Sequence, residues 1–210
     1  TDTGVHAALQ VVHFDTAANR PLTAWVRGVN SHLPAGVAVL WAREVNEDFH
    51  ARFAATHRGY RYVLLNHPVR PAINRGLIGW HHRPLDAAAM NLAAAHLIGQ
   101  HDFSAFRAAA CQAKSPVKEL RLAHVERRGD YLLCDFHADG FLHHMVRNLM
   151  GCLVQVGAGS QSPEWLREIL TGRDRTRAAP TFDGAGLYLT HIRYPAYFGL
   201  PETSDRWLFA

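Results

Sequence analysis

The chain has 210 residues, 48% hydrophobic and 19% charged, with a formal net charge of +4. That apolar share supplies a core for one large domain or two small ones sharing a sheet, and excludes an intrinsically disordered chain. The longest apolar runs, residues 87–95 and 149–156, are interrupted by Asn, Gly, Cys and Gln and fall short of a membrane span. The polar opening carries no secretory-signal pattern. Three widely spaced cysteines, Cys111, Cys134 and Cys152, read as reduced thiols in a cytoplasm, not as a disulfide frame.

In chain order, residues 9–14 (LQVVHF) predict a strand buried on both faces, residues 21–30 a short helix with proline in its first turn, and residues 37–45 another strand. Residues 58–65 (RGYRYVLL) alternate with the period of a half-buried strand, Tyr60, Tyr62 and Leu64 facing one way and Arg61, Val63 and Leu65 the other. Asp86 caps an alanine-rich helix expected to run to Ile98 and stop at Gly99. Residues 120–127 and 131–137 form a hairpin around Arg128-Gly129-Asp130. Residues 141–156 predict a long apolar helix. Ser162-Pro163-Glu164 opens another that ends at Gly172, and residues 186–194 supply a last strand. Strands outnumber helices and several are joined as hairpins, which predicts an α+β fold: helices covering one face of a largely antiparallel sheet. The loop at residues 109–116 is the expected boundary between an N-terminal lobe, 1–110, and a C-terminal lobe, 111–210.

The positive charge is concentrated. Residues 49–85 contain no Asp or Glu but hold Arg52, Arg58, Arg61, Arg70, Arg75 and Arg83, and the acid-free residues 103–118 hold Arg107, Lys114 and Lys118. Guanidinium groups bind phosphate in bidentate fashion and displace condensed counterions, so such strips favour a polyanion. A solvated face balanced in space by acids is the plainer alternative. Fifteen histidines, clustered at His81-His82 and at His137, His143 and His144, raise a metal hypothesis. Without Cys-x-x-Cys or His-Glu-x-x-His the spacing fits no zinc template, so no metal is expected and these histidines are assigned to a wet surface or to phosphate contacts.

Two charged residues resist a purely structural account. Arg147 lies in FLHHMVRNLMGCLVQVG, within an acid-free stretch from 140 to 163. An unpaired buried cation costs several kcal/mol, so an anion must face it or the side chain must snorkel out. Asp2, in TDTGVHA, is followed by a turn signal and a strand; by itself it reads as a turn residue.

TDTGVHA followed by QVVHF, NSHLP, FHARFAATHRGYRYVLLN, DFSAF, FLHHMVRNLMG, GRDRTRAAPT and GLYL resembles the TruA type of tRNA pseudouridine synthase from end to end. The order and spacing of eight separated blocks make the resemblance far more specific than any one motif. The family's opening motif reads Arg-Thr-Asp-Ala-Gly-Val-His-Ala, so the chain begins inside it, Thr3 replaces the usual alanine, and Asp2 falls on the catalytic nucleophile. A preceding segment carrying a first strand and helix is expected from the same likeness.

The resemblance implies the pseudouridine synthase fold, two lobes with a catalytic cleft between them. It also implies isomerisation of uridine to pseudouridine without a cofactor, at positions 38–40 on the 3′ side of the tRNA anticodon stem-loop, by a homodimer. It places Arg147 opposite Asp2, keeping the carboxylate charged and oriented. Tyr60 falls on the active-site tyrosine, which stacks on uracil and can move protons, and Leu187 on the apolar wall of the pocket. Arg52, Arg58, Arg61, Arg70 and Arg107 are candidates for phosphate contacts that offset unstacking of the target base. A non-catalytic RNA-binding or RNA-folding protein explains the arginines equally well, but not the pairing of Asp2 with Arg147. A metal-dependent nuclease would need clustered carboxylates, for which DFHAD, with Asp135 and Asp139, is the one thin candidate.

Overall fold

The computed structural model describes residues 1–201; residues 202–210 of the expected C-terminal lobe lie outside the described residues. Along the chain come β1 (His6–Ala7), α1 (Leu22–Asn30), β2 (His57–Asn66), β3 (Gly79–His81), α2 (Ala87–Ala95), β4 (Gly99–Asp102), β5 (Val117–Arg128), β6 (Tyr131–Ala138), α3 (Met145–Gly157), α4 (Pro163–Gly172) and β7 (Leu187–Arg193). The strands form one seven-stranded sheet in the order β1-β7-β2-β6-β5-β4, with β3 pairing β2 off that path. The pairs β2·β6, β2·β7, β4·β5 and β5·β6 are antiparallel, and β1·β7 and β2·β3 are parallel. This is the mixed, largely antiparallel sheet the pattern predicts.

The alternation in β2 decides which face carries the core. Tyr62 and Leu64 are buried in the large core that α2, α3 and α4 complete with Met90, Leu149 and Leu166. Val63, one residue out of phase, points the other way into a small cluster with Ile78, Leu133 and Tyr188. Helices α2, α3 and α4 therefore cover one face, as expected.

Local chemistry explains most boundaries. Asp86 caps α2 by accepting from the Ala88 and Ala89 amides at 2.8 and 3.0 Å. The helix ends three residues before the expected Ile98, because the chain loosens into a turn that Gly99, at φ +111, converts into β4. The β5–β6 hairpin closes with Arg128 opposite Tyr131 and Gly129 at φ +59. Proline at its first position opens α4.

Three expectations are corrected. Residues 9–14 and 37–45 are not strands. A strand needs a neighbouring backbone to hydrogen-bond, and among the described residues none runs beside either segment; Asn30 instead brackets Val39 with two hydrogen bonds, of 2.8 and 2.7 Å. Val12, Phe14 and Leu40 are left exposed. The helix expected from Phe141 begins only at Met145, because His144 takes a left-handed conformation, φ 61 and ψ 5, and blocks earlier helical hydrogen bonding.

Candidate active site

Asp2 is a turn residue and a cleft residue at once. The Val5 amide donates to the Asp2 carbonyl at 3.0 Å across a turn that needs the positive φ of Gly4, +79. The chain then pairs as β1 beside β7, His6 opposite Tyr188, which anchors Asp2 near the start of β7, where Leu187 lies. Asp2, Tyr60 from β2, Arg147 from α3, Leu187 and Arg52 line one open cleft of about 390 Å³.

Arg147 occupies the first turn of α3. Its Nε donates to the Phe182 carbonyl at 2.8 Å, and the Phe182 amide donates back to the Arg147 carbonyl at 3.1 Å. The segment carrying Phe182 lies hard against α3: a Cβ on Gly151 would collide with the Pro180 carbonyl. Held this way, the Arg147 guanidinium brings Nη1 to 3.9 Å from Asp2 Oδ2, with the side chains 18% and 34% exposed. Asp2 is thus the anion facing the cation on the apolar helix.

Two further groups flank the carboxylate. His143 Nε2 lies 3.3 Å from Asp2 Oδ1, and His144 Nε2 3.2 Å from Oδ2. Burial, His143 and Arg147 all lower the His144 pKa, against the opposing pull of Asp2. Sequence reasoning assigned these histidines to a wet surface or to phosphate contacts. Their place immediately before the helix that carries Arg147 was the available signal that they share its surroundings.

Tyr60 packs edge-to-face on Phe141, centroids 5.0 Å apart. Burial raises the pKa of its phenol, Arg58 pulls the other way and Asp2 adds to the rise, so the hydroxyl remains protonated at neutral pH. Leu187 is 5% exposed and supplies the apolar wall. Cys111, which sequence reasoning did not single out for this site, also lines the cleft, its Sγ accepting from the His143 amide at 3.3 Å. Burial favours the neutral thiol, but hydrogen bonds from His143, Ala113 and Arg107 outweigh it and lower the Cys111 pKa.

The remaining candidate arginines do not converge. Arg52 is exposed at the cleft, and Arg58 donates to its carbonyl at 2.6 Å, which keeps the two together. Arg70 is exposed on the connection after β2, away from the cleft. Arg107 spends its guanidinium on the Cys111 and Ala113 carbonyls, at 2.8 and 2.9 Å, bracing the loop below the cleft. Arg61 points from β2 to the opposite face and forms a two-pronged pair with Asp135, 2.7 and 2.9 Å. That pair also commits one carboxylate of DFHAD, and Asp139 accepts from the Glu119 amide at 3.1 Å. Among the described residues, the metal-ligating side chains brought within mutual reach are instead Asp2, His143 and His144, with donor atoms inside 4.8 Å.

A mixed sheet backed by helices on one face carries an open cleft in which a partly exposed carboxylate, a part-buried arginine and a protonated phenol meet, groups of the kind that acid–base and covalent carboxylate chemistry use. Residues 93–195 match the family model described as tRNA pseudouridine synthase. The chain is 81% identical over 210 residues to tRNA pseudouridine synthase A of Thiobacillus denitrificans, covering 100% of this chain and 81% of that protein. It is 60% identical over 205 residues to the protein of the same name from Chromobacterium violaceum, covering 98% and 78% respectively. Against that of Dechloromonas aromatica the identity is 57% over 208 residues, 99% and 79% of the two chains. The chain belongs to the tRNA pseudouridine synthase family, an isomerase family. No helix among the described residues is long and apolar enough to cross a membrane.

Proposed function

We propose that this chain converts uridine to pseudouridine in tRNA with Asp2 as the reacting carboxylate. The observation that carries the reading is the placement of Asp2 beside Arg147 in a cleft walled by Tyr60 and Leu187. In the reaction the N1–C1′ bond breaks, uracil turns, C5 bonds to C1′, and the proton lost from C5 is balanced by one gained at N1. Neither oxidant nor energy source is consumed. What the protein supplies is an ionised, positioned carboxylate next to the sugar–base junction and a pocket that holds the freed base through its rotation. Arg147 holds the charge of Asp2, Tyr60 offers a ring to stack on uracil and a donating hydroxyl, and Leu187 closes the apolar side.

A target base must leave its stack to reach Asp2, at a cost of a few kcal/mol. Arg52 at the cleft, Arg58 bonded to its carbonyl, and Arg70 beyond the cleft offset this by engaging phosphates. Arg61 and Arg107, each already holding protein partners, support that surface from behind. The targets are uridines on the 3′ side of the anticodon stem-loop, and the working form is a cytoplasmic homodimer with lobes 1–110 and 111–210. The names of the relatives, the basic strip and the full-length resemblance support this reading.

Release of tritium from C5 of uracil in tritiated tRNA transcripts tests it. Release by the chain that disappears in Asp2→Asn, with tRNA binding retained, is the expected result. Undiminished release by Asp2→Asn would remove Asp2 from the chemistry, and no release by a folded, tRNA-binding protein would reduce the chain to an RNA binder.

A further inference from the structure

Consecutive side chains in regular backbone diverge, so two adjacent histidines do not ordinarily address one carboxylate. Here they do. His144, left-handed at φ 61, is one of two non-glycine residues with positive φ among the described residues, the other being Arg173. Such a conformation is strained for a residue with a side chain and persists where surrounding structure enforces it. It turns both imidazoles to the same side, centroids 4.0 Å apart and planes inclined by 34°. Each presents Nε2 to a different oxygen of Asp2, at 3.3 and 3.2 Å.

These separations have a chemical meaning beyond hydrogen bonding. An ion held tetrahedrally by nitrogen and oxygen at roughly 2.0–2.1 Å has neighbouring donors roughly 3.3 Å apart. Each imidazole stands about that far from its own oxygen of Asp2, His143 Nε2 from Oδ1 and His144 Nε2 from Oδ2, and one donor atom from each of the three residues lies within 4.8 Å of the others, so a bound ion has only to draw them inward. Two imidazoles and one carboxylate are a zinc donor set with a fourth position left open to the cleft. They are a poor set for magnesium or calcium, which take six or more oxygens.

We propose that Zn²⁺ binds reversibly to Asp2, His143 and His144 and, by occupying the reacting carboxylate, inhibits the isomerisation. The inhibitory part rests on the assignment of Asp2 made above; the binding part does not. Arg147, with Nη1 3.9 Å from Asp2 Oδ2, opposes any cation and keeps the affinity below that of a structural zinc site. The result is an exchangeable site that competes with substrate, because ion and uridine need the same carboxylate.

The test begins without RNA, since tRNA itself binds metal ions. The intact protein is titrated with Co²⁺ and read by the visible absorption of a four-coordinate site, then with Zn²⁺ by equilibrium dialysis, both beside Asp2→Asn and the His143→Gln/His144→Gln double variant, with folding checked by circular dichroism. The expected result is a tetrahedral cobalt spectrum that zinc abolishes and excess Mg²⁺ does not. Zinc affinity should fall at least tenfold in each variant, and tritium release should be inhibited over the zinc range that saturates binding and restored by EDTA. No binding, or binding that survives in both variants, overturns the site. Zinc bound through these residues without inhibition overturns the inhibitory role. Persistence of tritium release in Asp2→Asn overturns the nucleophile assignment instead, which keeps the two failures distinct.

Discussion

Arg147 reaches Asp2 only after committing its Nε to the carbonyl of Phe182: the bond to Phe182 is 2.8 Å, the approach of Nη1 to Asp2 Oδ2 is 3.9 Å. The cation is therefore aimed by backbone and does not depend on the carboxylate for its position. Asp2 stays partly open to the cleft, 34% exposed.

That arrangement makes the arginine fork specific. Arg147→Lys keeps the charge but cannot hold Phe182 and face Asp2 together. Single-turnover tritium release should fall by more than tenfold in Arg147→Lys and by about 10²–10³-fold in Arg147→Ala, the usual loss when a preorganised charge partner is removed. Equal rates in the two variants would contradict the aiming role.

Tyr60 separates into ring and hydroxyl. Tyr60→Phe preserves the edge-to-face contact with Phe141 and loses the donor, so the chemical rate should drop by on the order of 10²-fold with tRNA affinity little changed. Tyr60→Ala should weaken both. Because burial raises the phenol pKa, any loss of the wild-type rate through Tyr60 ionisation should come at a higher pH than for an ordinary tyrosine.

The arginines divide by their partners. Arg52→Ala, Arg58→Ala and Arg70→Ala should each weaken tRNA binding and reduce the slope of log affinity against log salt by about one. Arg61→Ala strands Asp135 in a half-buried position and should instead lower stability, by about 1.5–3 kcal/mol in urea unfolding.

Gly151 has no room for a side chain. Gly151→Ala forces its methyl into the Pro180 carbonyl, which should cost about 1–3 kcal/mol in thermal unfolding. It should also lower tritium release, since the displaced segment carries the carbonyl that aims Arg147.

Acid should destabilise the fold through its histidines. Burial, with His137 and Arg193 nearby, lowers the His57 pKa from 6.5 to about 4. Between those values the unfolded chain binds the proton that the folded chain refuses, so stability is whole above pH 6.5 and declines as pH falls toward 4. His81 and His137 are shifted the same way. The melting temperature should fall across that window, and His57→Gln should flatten the fall.

The sequence by itself determined the elements whose causes are local. The alternation of residues 58–65 set which face of β2 meets the helices, Asp86 set the start of α2, Pro163 that of α4, and Gly129 the hairpin. An arginine on an acid-free apolar helix showed that an anion had to face it, and the ordered motif blocks named Asp2. Tertiary structure decided what depends on a partner distant in sequence. Residues 9–14 and 37–45 have the composition of strands, yet a ladder exists only where another backbone runs alongside. Arg61 and Arg107 carry the same charge as Arg52, but Asp135 and the Cys111 and Ala113 carbonyls claim them. His143 and His144 looked like surface residues because their spacing matched no ligand template. Asp2 joins them from the far end of the sequence once β1 has paired with β7, and the left-handed backbone at His144 turns both rings toward it. A local pattern constrains its own turn or strand; only the closed sheet brings that carboxylate to that helix.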